Sequence, residues 1–182
     1  MVSVTMGGQC VDKPLRRDAG RPGQQIWVTG SPGLAAGGYA LRQPPEACLA
    51  ALRRPDPPLY FALDLARLRL ASATMDLSDG LRADLLRLCR ASRTGAVVDP
   101  TMLDQHPALD DAPDPMQLML AGGDDYELLF ASDPENADAL RDLAEERGVQ
   151  LTRIGTLTAD GRIQLKGMAW PTPPFSHFGS ST

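Results

Sequence analysis

Beyond Gly80, leucine or cysteine recurs at positions 81, 85, 88 and 89, and Arg82, Asp84, Arg87 and Arg90 fill the places between. That spacing predicts a helix with one apolar stripe, its charges turned to water and a stop at Gly95. A one-sided helix has to lay its stripe on another layer. The preceding residues 73–78, ATMDLS, read as a short strand or extended turn. A strand, a tight glycine turn and an amphipathic helix commit this part of the chain to helix-on-sheet packing.

The same alternation continues on both sides. Val2 to Met6 reads as a short strand before a Gly-Gly turn, and Gln25 to Thr29 as another before VTGSPGLAAGG. Helical residues follow to about Arg54, broken at Pro44-Pro45, and RRPDPPL marks a stop. Leu59 to Leu70 has helical spacing. Residues 96–98 form a strand, 100–115 a loop rich in Asp and Pro, MQLMLAGG an apolar turn, and YELLFA a buried strand. Asp133-Pro134 supplies a cap and first-turn proline for a helix buried through Ala137, Leu140 and Leu143 and stopped at Gly148. VQLTRIG is a further strand, and TADGRIQL carries an Asp-Gly hairpin signal. Strands alternating with helices, without internal repeats, imply an α/β or α+β layer fold.

In 182 residues the formal charge is −5 and no basic run exceeds a pair such as Arg16-Arg17, which excludes a nucleic-acid-binding surface. Any phosphate-bearing ligand would need local groups or metal ions. Cys10, Cys48 and Cys89 are odd in number and widely spaced, and only two histidines accompany them, which argues against disulfides and structural zinc. No segment has the 18 to 20 uninterrupted apolar residues of a membrane helix, and no signal peptide is seen, so no membrane partner and a cytoplasmic location are expected.

Two acidic clusters could carry chemistry. In ATMDLSDGL, Ser78 or Asp79 would serve as an ordinary helix cap, but a cap does not explain Asp76 at the preceding strand end. Paired carboxylates beside a helix N-terminus can also hold a hard cation such as Mg²⁺, which bridges to phosphate oxygens. The spacing leaves both readings open. LAGGDDYELLF repeats the pattern with Asp124 and Asp125, and taken alone reads as a solvated acidic turn. VTGSPGLAAGG lacks the ending of a P-loop and reads as a turn with small residues for close helix packing. Arg17 could pair a phosphate or stand solvated, and Phe175 could close over a ligand or anchor the tail. His106 and His177 have no ligand at metal spacing and are read as non-catalytic.

In serial order, LRRDAGRPGQQIWVTGSPGLAAGG, LRRPDPP, ATMDLSDGLRADL, LAGGDDYELLF, RIG and FSHF resemble the thiamine-monophosphate kinases, relatives of aminoimidazole ribonucleotide synthetase and selenophosphate synthetase. The resemblance implies the C-terminal α/β domain of that fold, a mixed sheet with packed helices, over residues 14–182, with 1–13 a remnant of a preceding domain. It implies ATP-dependent phosphorylation of thiamine phosphate to thiamine diphosphate with Mg²⁺. Asp76 and Asp79 match metal-binding aspartates, Ser78 and Arg17 positions that contact ATP, and Asp124 and Phe175 positions that contact thiamine phosphate. Asp124 is one methylene shorter than the usual glutamate, and Phe175 keeps a stacking face without the polar handle of tyrosine or tryptophan. In the family, an N-terminal domain supplies most acidic metal ligands and forms a homodimer through a shared barrel. This chain is therefore expected to carry half of that site. Two other readings stay open: a non-catalytic fragment acting with a separately encoded N-terminal partner, and a sister synthetase with another substrate.

Overall fold

The computed structural model describes residues 3–5, 7, 8, 10 and 14–171. The chain runs β1 (Gln25–Thr29), α1 (Leu34–Ala40), α2 (Glu46–Arg53), α3 (Leu59–Arg67), β2 (Ala73–Leu77), α4 (Leu81–Ser92) and β3 (Gly95–Val98). It continues through α5 (Pro115–Ala121), β4 (Glu127–Ser132), α6 (Ala137–Arg147), β5 (Leu151–Thr158) and β6 (Ile163–Leu165). The strands form one six-stranded sheet in the order β2-β4-β1-β5-β3-β6. Neighbours are antiparallel except β3 and β6, which are parallel, so the sheet is mixed.

Strand alternation divides the core between two faces. Ile26, Val28, Ala73, Met75, Leu77, Leu129 and Ala131 meet α4 through Leu81, Leu85 and Leu88, together with α5 and Cys48 of α2. Trp27 and Phe130 meet Phe61 and Leu65 of α3 and Leu140 and Leu143 of α6. Helices therefore cover both faces. The small residues of α1 do allow close helix packing: a Cβ on Gly38 would lie 2.5 Å from the Cys48 carbonyl oxygen of α2.

Several expectations change. TADGRIQL is not a hairpin, because β3 lies between β5 and β6 and takes Ile163 to Leu165 in parallel register. The Asp160 side chain instead closes the turn on Thr158 Oγ1 and the Arg162 amide. Helix α4 ends at Arg93 in a left-handed conformation, and Gly95 already belongs to β3. MQLMLA is a helix, with the Asp114 carboxylate accepting from the Gln117 amide as its cap. Asp133 makes no cap bond; it accepts from Arg21 and Gln24, and α6 begins after a 3₁₀ turn at Pro134–Asn136. Ser3, Val4 and Thr5 lie exposed and outside any strand; Val2 and Met6 fall outside the described residues. Among the described residues, no helix is long and apolar enough to cross a membrane.

Candidate functional site: two acidic loops at the end of β2 and β4

The ladder between β2 and β4 pairs Leu77 with Glu127 and carries on into the loops beyond it. The Tyr126 amide donates to the Leu77 carbonyl and the Asp124 amide to the Ser78 carbonyl, both at 2.8 Å. The turn before α4 thus lies against the turn between α5 and β4. Gly80 has φ 98° and ψ 152°, and a Cβ there would stand 2.7 Å from the Gly122 carbonyl oxygen. Asp76, Ser78, Asp79 and Asp124 consequently gather at one end of an edge strand, although the sequence separates them by more than forty residues. Asp76 faces away from the Ala73, Met75 and Leu77 side and is exposed, as is Asp124, whose φ is 66°. A non-glycine residue held in that region marks a loop fixed by its surroundings.

What fixes these loops differs from the sequence reading. Gly80, rather than Ser78 or Asp79, occupies the cap position of α4. Asp84, expected in water, has a completely buried side chain. One of its oxygens accepts from the amides of Ser78 at 3.0 Å and Asp79 at 2.9 Å. The other accepts from Arg87 Nη1, which also pairs with the half-buried Asp79 carboxylate. Burial pushes the Asp84 carboxyl above its ordinary pKa, while the Asp79 amide and Arg87 pull it back.

Asp125 is the second support. Its carboxylate accepts from the Gly33 amide at 2.8 Å and the Ala35 amide at 3.3 Å, tying its loop to the start of α1. Burial pushes its pKa up to about 7; the two amides oppose this, and Glu127 and Asp124 add to it. Glu127 also lies above its ordinary value, through burial first and Asp56 second, with the bond from Thr29 Oγ1 acting against them. Glu127 forms part of the wall of a separate cleft of about 570 Å³ between residues 56–61 and 147–150.

Arg17 does not join the loop cluster. Its carbonyl accepts from Ser92 Oγ at the far end of α4, about 16 Å from its start at a rise of 1.5 Å per residue, and the neighbouring Arg16 carbonyl accepts from the Thr74 amide of β2. The Arg17 side chain is exposed. Phe175 and His177 lie outside the described residues; the nearest described anchor is the Pro171 carbonyl, which accepts from Arg82 in the first turn of α4. His106 Nδ1 accepts from the Ala108 amide, a turn-capping role.

Sequence reasoning missed Asp84, Arg87 and Asp125. The signal for Asp84 was present: residues 81, 84, 85 and 88 stand at i, i+3, i+4 and i+7, so Asp84 lies within the apolar stripe. Arg87 stands at i+3 from Asp84 on the same helix, a local pairing signal; for Asp125 no local signal exists, since its partners Gly33 and Ala35 are brought to it by folding.

Hard oxygen donors at an exposed strand end are the chemistry that suits Mg²⁺, which keeps several waters and is held through one or two carboxylates plus phosphate. Asp76 and Asp79 carry oxygen donors of that kind, with the Asp79 carboxylate already paired with Arg87. Among the described residues no three His, Cys, Asp or Glu side chains group to hold a metal by themselves.

A family profile described as "AIR synthase related protein, C-terminal domain" matches residues 21–167. The thiamine-monophosphate kinase of Escherichia coli K12 is 37% identical over 160 residues, covering 81% of this chain and 49% of that protein. A crystal structure of thiamine-monophosphate kinase from Stenotrophomonas maltophilia K279a superposes with a TM-score of 0.78 at 36% identity, covering 85% of this chain and 54% of the other. The structure described as AaThiL complexed with AMPPCP and TMP gives a TM-score of 0.73 at 23% identity, covering 90% and 54%, and supports the fold. The chain spans about half the length of the curated relatives it matches.

Proposed function

The chain belongs to the AIR synthase related family through its C-terminal domain, and we propose from that membership that it serves ATP-dependent phosphorylation of thiamine phosphate to thiamine diphosphate. The observation that carries this reading is the junction of the two acidic loops, closed by the Asp124 amide on the Ser78 carbonyl at 2.8 Å. On this reading Asp76, Ser78 and Asp79 would form the metal and nucleotide side and Asp124, across the junction, the substrate side. The similarity to thiamine-monophosphate kinases, one of them described as complexed with AMPPCP and TMP, supplies the substrate class.

Phosphoryl transfer asks the protein for positioning and charge neutralisation more than for a covalent nucleophile. Mg²⁺, when bound, neutralises charge on the transferring phosphate. Asp76 and Asp79 would hold it, and the Ser78 hydroxyl would orient a phosphate oxygen. Asp124 would receive the cationic, hydrogen-bonding face of thiamine phosphate, and Phe175 would stack on its ring. Arg17 would contact the nucleotide at the far end of α4, so that one ATP reaches both Arg17 and Ser78 only by lying along β2. A cytoplasmic setting and the family's homodimer are part of the same proposal.

A second reading is favoured by the carboxylate count: the described residues gather two prospective metal ligands and no larger group. On this reading the chain binds thiamine phosphate and turns it over only when further acidic groups are supplied by another polypeptide. Thiamine diphosphate formation from ATP and thiamine phosphate by the purified chain separates the two. Turnover abolished in Asp76→Asn is the expected result. Binding of thiamine phosphate without turnover supports the second reading, and neither binding nor turnover contradicts both.

A further inference from the structure

The geometry points to Asp84 as a positioning residue for the loop between β2 and α4, deepening the reading of Asp76 and Asp79 as a cation site and resting on it. Its buried carboxylate holds the amides of Ser78 and Asp79, the second of which is a prospective cation ligand, and aims Arg87 at the Asp79 carboxylate.

Asp84 sits in the first full turn of α4, flanked along the stripe by Leu81, Leu85 and Leu88, all essentially inaccessible to water. A carboxylate survives there only with partners. It has three: the Ser78 and Asp79 amides on one oxygen and Arg87 on the other. Helix starts are ordinarily satisfied by a side chain preceding the helix, acting on amides inside it. Here the direction is reversed, with a helical side chain reaching back to amides outside. An ordinary Ser, Thr or Asp cap at position 80 would steady the helix, but position 80 is a glycine whose Cβ would strike Gly122. The reversed arrangement leaves that close approach open and fixes the amides of residues 78 and 79 instead. Arg87 completes the device by pairing with both Asp84 and Asp79, so the Asp79 carboxylate is oriented from behind by a charge that Asp84 holds in place.

Two variants separate the two arms. Asp84→Asn keeps an oxygen for both amides and presents Arg87 with an amide group that cannot accept from it. Asp84→Ala removes both arms. Two readouts apply to the purified chain: amide hydrogen exchange without divalent cation, and Mn²⁺ affinity by electron paramagnetic resonance. In Asp84→Ala, the Ser78 and Asp79 amides should exchange at least tenfold faster while β1 and α6 keep their wild-type rates, and Mn²⁺ should bind at least tenfold more weakly. In Asp84→Asn the two amides should stay within about threefold of wild type while Mn²⁺ affinity still falls. Unchanged exchange at residues 78 and 79 in Asp84→Ala overturns the proposal, and so does an equal loss of protection throughout the sheet. If Asp84→Ala does not fold, Asp84→Asn decides: slow exchange with weakened Mn²⁺ binding supports the proposal, and unchanged Mn²⁺ binding overturns it. Wild-type protein that fails to bind Mn²⁺, yet shows the local exchange pattern, refutes the cation reading and leaves the anchoring of the loop by Asp84 standing.

Discussion

Asp125 holds a carboxyl group against two amides at the start of α1, and its pKa, pushed up by burial to about 7, makes it a source of a pH effect on stability. The unfolded chain releases this proton near 3.8 and the folded chain near 7, so between those values the folded state binds more protons. The stabilisation is therefore fully present below about pH 3.8 and is lost as pH rises through 7. Asp84 and Glu127, also raised by burial, act in the same direction. Urea unfolding at pH 5 and pH 8 should show a fall that Asp125→Asn reduces by roughly 2–3 kcal/mol, since about two pH units of the window lie below 7 at about 1.4 kcal/mol each. An identical fall in the variant would contradict this assignment. The placement of Asp84 was legible from its i+3 place in the leucine stripe, whereas Asp125 read as solvated because its partners Gly33 and Ala35 lie ninety residues away.

At the level of elements, the site depends on how closely the turn before α4 approaches the turn before β4. Gly80 permits it, through a backbone conformation that side-chain-bearing residues rarely adopt and through the absence of a Cβ facing Gly122. Gly80→Ala should lower stability by about 2–4 kcal/mol, combining strain with overpacking. Thermal unfolding would register that loss, and weakened thiamine phosphate binding should accompany it. A stability within about 0.5 kcal/mol of wild type would show that the two turns are not locked together. Elements with a strong period were readable: α4 from its leucines, β1 from QIWVT, the break between α2 and α3 from RRPDPP. The β5-to-β6 connection was not, because Asp-Gly marks a turn and carries no information on whether another strand will lie between the two arms.

Across the whole molecule, helices on both faces of a mixed sheet leave its β2 edge as the place where the acidic loops emerge. The layer class followed from alternating strands and helices, but strand order did not, since each pairing is a choice among distant partners that only the folded core settles. The two acidic motifs were likewise visible separately, and the pairing of β2 with β4 is what brings them together. On the proposed function these two loops together would receive thiamine phosphate. Amide chemical shifts of the purified, isotope-labelled chain, followed while thiamine phosphate is added with Mg²⁺, test it most directly. The account predicts changes concentrated at residues 76–80 and 122–126 and suppressed in Asp76→Asn; no change at millimolar ligand, or changes centred on the cleft at residues 56–61 and 147–150, would contradict it.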